Sequence, residues 1–259
     1  MTTPGPVTLG HDGGVTTVTL ERPDAMNAIS TELVTSLAAT FEPLATDGRT
    51  RVVILTGAGT KAFCAGADLR ERAGMDDAGW MTQREAMRRG FAAVRRCPLP
   101  TVAAVFGFAL GGGYELALSC DLIVAADDAV VGLPEVRIGL VPGGGGTQLL
   151  VRRVGRAVAR ELILTGRRVE AAEALRLGLV DRVVPRAELD KAARAVAAEI
   201  MGSSPTAVRL AKWALEVGAD LSIEAGVEVE DQAWRRAVLG DERREGIAAW
   251  NERRPPDWT

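Results

Sequence analysis

Three continuous apolar runs constrain this chain more than any other feature: RVVILTG at 51–57, TVAAVF at 101–106 and DLIVAA at 121–126. A strand with one face in water alternates apolar and polar residues. An unbroken run requires cover on both faces, as in a parallel sheet flanked by helices. Helical spacing fills the intervals. Residues 81–96 carry apolar positions at helical period before the breaker Cys97-Pro98-Leu99-Pro100, and a helix after Gly113 separates the second run from the third. Upstream, VTTVTL at 15–20 reads as a β-branched strand, and Ser30 with Glu32 opens a helix running to about Ala45. This strand, helix, strand order predicts an α/β fold with right-handed parallel crossovers.

From about residue 155 the texture changes. Helices are predicted near 156–165, 170–177, 187–201, 205–218, 222–238 and 241–252, bounded by Gly166, Gly178, Pro205, Gly218 and Gly240, with LVDRVV at 179–184 the one strand-like run. We divide the 259 residues into a core, 1–195, and a C-terminal helical region, 196–259, a size that one core with an appendage can reach. Trp213, Trp234, Ile247 and Trp250 give the tail large apolar surfaces with few strands to cover them. Packing against its own core or against neighbouring subunits would cover them, the latter in a symmetric homo-oligomer.

Composition removes several classes of function. With a net charge of −3 and arginines interspersed among acids, the chain has no basic stripe for nucleic acid. No run approaches the roughly 20 apolar residues of a membrane span, and MTTPGPVTLG lacks the basic then apolar order of a signal peptide, so a cytoplasmic address is expected. Cys64, Cys97 and Cys120 form no C-x-x-C pair and read as buried free thiols, with neither zinc nor a disulfide framework. The single histidine, His11, falls in a polar segment before the first predicted strand, and no G-x-S-x-G elbow is present, which argues against a serine hydrolase.

Four glycine-bearing segments carry the chemistry. FCAGADL at 63–69 ends a strand with small residues, which lets a ligand approach main-chain N–H groups. GFALGGGYE at 107–115 puts three glycines at the start of a helix, where each costs roughly 1 kcal/mol against alanine. A need for close backbone approach at Gly111, Gly112 or Gly113 would offset that cost. The orphan N–H groups of a helix start suit an oxyanion. The spacing matches neither G-x-G-x-x-G nor a P-loop. Glu115 sits about one turn into this helix, as a functional carboxylate or as a surface acid complementing the helix dipole. In VGLPEVRIGLVP, 131–142, Glu135 follows Pro134 among Leu133, Val136 and Ile138. If buried it becomes a proton donor of raised pKa; if exposed it pairs with Arg137. GGGGTQ, 143–148, is either a second close-approach site or a floppy loop.

These residues together resemble the crotonase superfamily, the enoyl-CoA hydratase/isomerase family. The likeness runs from ERPDAMNAIS at 21–30 through VVILTG, FCAGADL, GFALGGGYELALSCDLIVAADDA and GLPEVRIGLVPGGGGTQ to EGIAAWNERRPPDW near the end. It implies a crotonase-like (ClpP/crotonase) spiral of ββα units around a small perpendicular sheet, with C-terminal helices that build homotrimers, commonly paired as homohexamers. It implies reversible addition of water to a trans-2-enoyl-CoA thioester, giving 3-hydroxyacyl-CoA. By the same resemblance Ala67 and Gly112 present the oxyanion-hole N–H groups. Glu115 acts mainly as base and Glu135 mainly as proton donor. Met26, Ala28, Ala65, Asp68 and Leu69, with Gly111, Pro134 and Gly143, line the substrate and coenzyme A channel. No metal or redox cofactor is implied, since coenzyme A belongs to the substrate. Three positions depart from the family pattern: Val131 replaces a frequent aromatic residue, Tyr114 a small residue and Leu149 a frequent arginine. The first two are expected to reshape the acyl pocket unless Tyr114 merely packs. The alternatives are another crotonase reaction, such as enoyl-CoA isomerisation or a specialised acyl-CoA dehydration, and a non-catalytic acyl-CoA or RNA-binding scaffold. The paired glutamates argue against the scaffold.

Overall fold

All three apolar runs lie inside one sheet of the computed structural model, which describes residues 5–258. The runs become β3 (Val52–Gly57), β5 (Thr101–Val105) and β7 (Leu122–Ala126), joined by β1 (Val7–Asp12), β2 (Val15–Leu20) and β10 (Arg182–Val184) in the order β1-β2-β3-β5-β7-β10. Only the β1–β2 pair is antiparallel. The period of two along a strand explains the unbroken runs. Val53, Leu55, Ala103, Val105, Ile123 and Ala125 enter the main core, while Val52, Ile54, Val102, Ala104, Val124 and Ala126 face the opposite side. That opposite side is covered by helix α7 (Leu189–Met201) through Leu189, Ala193, Val196 and Ala197.

A second sheet, β4-β6-β8-β9, is built from β4 (Ala62–Cys64), β6 (Phe108–Leu110), β8 (Val130–Gly132) and β9 (Val169–Glu170). Its strands are two or three residues long, too short for any periodicity to register. The chain therefore repeats a long strand, a short strand and a helix. β3 and β4 lead to α2 (Leu69–Ala73) and α3 (Asp77–Arg95), β5 and β6 to α4 (Gly112–Leu118), and β7 and β8 to α5 (Gly146–Thr165). These are the ββα units that the resemblance implies. Helix α1 (Thr31–Leu44), capped by Ser30 accepting from Leu33 N, packs on α3 through the face that buries Leu33, Val34, Leu37 and Phe41.

Several expectations need correction. His11 lies in β1, paired with Thr16 of β2 and hydrogen-bonded to its hydroxyl at 2.9 Å, so the first strand precedes 15–20. Helix α3 starts at Asp77, where the Asp76 carboxylate accepts from Gly79 N, and not at 81. The helix expected at 156–165 is present after Gly155 (φ 76), but a further helical stretch from 146 precedes it. Position 195 falls inside α7, one continuous helix that covers the main sheet, so the helices that leave the core begin later: α8 (Pro205–Gly218), α9 (Ile223–Val238) and α10 (Asp241–Glu252). Between α6 (Ala171–Arg176) and β10, Leu179 and Val180 are buried in the main core. Among the described residues no helix is long and apolar enough to cross a membrane.

Candidate active site

The short strands position the site. β4 pairs parallel with β6, and β6 with β8, so the C-terminal ends of three strands emerge at one edge. There β4 runs into Ala65–Asp68, β6 into Gly111 and α4, and β8 into Pro134 and the 3-10 turn Glu135–Ile138. Gly111 adopts φ 52, ψ −126, and its amide donates to Gly132 O at 2.8 Å, locking the β6 exit to β8. Only glycine holds that conformation without strain. A β-carbon at Gly113 would lie 2.0 Å from Cys64 O, so the start of α4 presses directly on the end of β4. The result is that a β-carbon on Gly112 would stand 3.8 Å from Ala67 N. Neither the Ala67 nor the Gly112 amide donates to a protein acceptor among the described residues. The neighbouring bonds of Ile29 N to Gly66 O (2.8 Å) and Asp68 N to Ile29 O (3.0 Å) fix the loop that carries Ala67.

Glu115 is 2% exposed. Its Oε1 accepts from Gly144 N and Gly146 N, each at 2.7 Å, so the four-glycine segment is pinned to the carboxylate and is not a floppy loop. Arg84 also holds this loop, through its NH1 group on Gly143 O. Burial raises the pKa of Glu115 above the ordinary carboxyl value, while amides of Gly143–Gly146 oppose the rise by favouring the charged form. Glu135 does not pair with Arg137, which donates instead to Thr165 O at 3.1 Å. Its Oε2 is buried without a partner, and its Oε1 would lie 3.2 Å from a β-carbon at Gly111. Burial, then repulsion from Glu115, pushes Glu135 up to about 7, against a smaller opposing pull from Arg72. The two carboxyls thus form a coupled pair beside the two free amides.

Both glutamates line a cavity of about 540 Å³. Of the other expected residues, Ala65, Ala67, Leu69, Gly111, Gly112, Pro134 and Gly143 also line it. Met26, Ala28 and Asp68 do not. The Met26 carbonyl accepts from Ala65 N (3.0 Å), and the Ala28 carbonyl is taken by Arg22. Asp68 performs a framework role: Oδ1 caps α2 at Arg70 N and Glu71 N, and Oδ2 pairs with Arg22 at 2.9 Å. The sequence reading missed the far wall, made by Arg72, Trp80, Arg84, Met87 and Phe91 on α2 and α3. Their helical spacing marks a packed face without marking what it packs around.

Residues 10–259 match the family described as enoyl-CoA hydratase/isomerase. The chain belongs to this family. A probable enoyl-CoA hydratase 2, mitochondrial, of Arabidopsis thaliana is 41% identical over 250 residues, 96% of this chain and 83% of the relative. A short-chain-enoyl-CoA hydratase of Clostridium acetobutylicum is 39% identical over 251 residues, 96% of this chain and 95% of the relative. The crystal structure of an enoyl-CoA hydratase from Bacillus anthracis superposes with a TM-score of 0.96 at 41% identity, covering 98% of both chains. Within the enoyl-CoA hydratase/isomerase family this member's three departures lie away from the cavity wall. Val131 is buried in the main core, Leu149 packs against that core, and the Tyr114 hydroxyl donates to Leu179 O at 2.9 Å. Tyr114 is therefore a packing residue and does not reshape the pocket.

Proposed function

We propose that this chain is an enoyl-CoA hydratase, adding water reversibly to a trans-2-enoyl-CoA thioester to give 3-hydroxyacyl-CoA. The carrying observation is the convergence of Glu115 and Glu135 on one cavity beside two unengaged amides. In this reading the thioester oxygen accepts from Ala67 N and Gly112 N, which draws electrons from the double bond and makes C3 electrophilic. Glu115, raised by burial but with its charged form supported by the glycine amides, takes a proton from water as the oxygen bonds to C3. Glu135, held near 7 and so substantially protonated at neutral pH, delivers a proton to C2 as the enolate collapses. Dehydration runs the same steps backward. Only protons and water move, so the proposal includes no metal or redox cofactor, and coenzyme A arrives on the substrate.

Loss of enoyl absorbance from crotonyl-CoA tests the reading. Glu115→Gln and Glu135→Gln should each lower the rate about 100- to 10,000-fold. Full activity in either variant removes that carboxylate from the mechanism. A homotrimer, or a hexamer of two trimers, forms part of the proposal. Its support is the exposed apolar surface of Leu215, Ile223, Trp234 and Trp250 on the last three helices, and sedimentation would measure it. We assign the cytoplasm because three free, buried thiols suit a reducing compartment. Some relatives are named mitochondrial, so fractionation is the check.

A further inference from the structure

Arg72, on α2, is a charged residue of the cavity that the hydratase mechanism leaves without a task. Its Nε donates to Gln83 Oε1 at 2.8 Å, and its guanidinium carbon lies 4.8 Å from the centre of the Trp80 ring. Gln83 is 3% exposed, and its amide nitrogen is committed to Thr31 Oγ1 (2.9 Å) and Glu71 Oε2 (3.1 Å). Glu71 in turn accepts from Thr31 N on both oxygens. This network fixes the direction of the guanidinium plane without neutralising it. Among the described residues no carboxylate forms an ion pair with Arg72, and its terminal nitrogens have no hydrogen-bond acceptor. A second cation, Arg84, lines the same wall.

Burial, with Arg84 beside it, disfavours the charged guanidinium, while Glu71, Glu115 and Glu135 favour it without reaching ion-pair distance, and the ring of Trp80 adds to their support. The plane is held ready for a flat anion that accepts two parallel N–H bonds, which is the geometry of a carboxylate. One cavity holds Ala67, Gly112, both glutamates, Trp80, Met87, Phe91 and Arg72, so an acyl chain whose thioester sits at the two amides shares an enclosure with the guanidinium. A terminal methyl gains nothing from a cation there, whereas a terminal carboxylate accepts from the guanidinium nitrogens that no protein group engages. We propose that Arg72 is a specificity residue for acyl groups ending in a carboxylate, so that the preferred substrates are 2-enoyl-CoA thioesters of short dicarboxylic acids. The placement of the thioester at the two amides rests on the hydratase reading.

The test compares two unreactive thioesters of equal carbon count, glutaryl-CoA and pentanoyl-CoA, by titration calorimetry on the parent, Arg72→Met and Arg72→Lys. Hydration of the corresponding 2-enoyl pair is followed in parallel. The parent should prefer glutaryl-CoA by about 10- to 100-fold, the range of a charge-assisted hydrogen-bonded pair. Arg72→Met should bring the preference close to one, and Arg72→Lys should keep part of it. A parent that binds both thioesters equally overturns the proposal. So does an Arg72→Met protein that weakens both by the same factor, since the guanidinium would then serve a coenzyme A phosphate or the glutamates. If Arg72→Met does not fold, the parent and Arg72→Lys still decide the matter. A parent that prefers glutaryl-CoA yet hydrates neither 2-enoyl thioester upholds carboxylate recognition and overturns the hydratase reading.

Discussion

Replacing Glu135 by glutamine should cost activity while stabilising the protein, but only at high pH. The folded protein holds the Glu135 proton more tightly than the unfolded chain, with a pKa moved from 4.5 up to about 7. The native state therefore loses stability as pH rises through that window, and the penalty is complete above it. At about 1.4 kcal/mol per unit, the shift sets an upper bound of about 3.5 kcal/mol. Because the carboxyl is only partly withdrawn from water, screening lowers this to about 1 to 2 kcal/mol. Glutamine carries no charge in either state and escapes the penalty, along with the repulsion from Glu115. For a chain of this size, the Tm difference between Glu135→Gln and the parent should grow by about 3 to 6 °C between pH 4.5 and pH 8.5. Paired thermal melts at the two pH values provide the assay. A difference that stays constant, or that favours the parent at pH 8.5, would refute the argument that Glu135 is a desolvated acid held against a neighbouring charge.

Other outcomes follow from the same geometry. The kcat/KM for hydration should fall as pH rises above about 7, because Glu135 then lacks the proton that the proposed mechanism has it deliver; a pH profile flat from 6 to 9 would contradict this. Gly113→Ala should destabilise the fold by about 3 kcal/mol or more, since its β-carbon would meet Cys64 O at 2.0 Å, and denaturant titration measures the loss. Tyr114→Phe should cost about 1 to 2 kcal/mol by leaving Leu179 O unsatisfied, with no change in acyl-chain preference across a substrate panel.

The parts of the fold legible in the sequence are those whose cause is local and repeated. RVVILTG, TVAAVF and DLIVAA announce two-sided burial because strand side chains alternate faces, and Ser30 announces a helix start because its hydroxyl reaches Leu33 N. The candidate site was partly legible for a different reason. Gly111 and Gly113 mark positions where the backbone admits no side chain, and the resemblance to a family supplied the roles proposed for Glu115, Glu135, Ala67 and Gly112. The same carry-over placed Asp68 in the substrate channel, where the structure instead shows a helix cap paired with Arg22.

By itself, then, the sequence determined the central parallel sheet, its flanking helices and the glycines around the site, because each depends on contacts a few residues apart or on one residue's steric limits. Only the tertiary structure decided what those parts enclose. Strands of three residues align the ends that carry Ala67, Gly112 and Glu135, and Gly144 and Gly146 close on Glu115 from 29 and 31 positions away. Desolvation, repulsion between the two carboxyls and the unengaged guanidinium nitrogens of Arg72 are properties of that enclosure. They arise from groups distant in the chain brought together in a small volume shielded from water, and no local pattern records them.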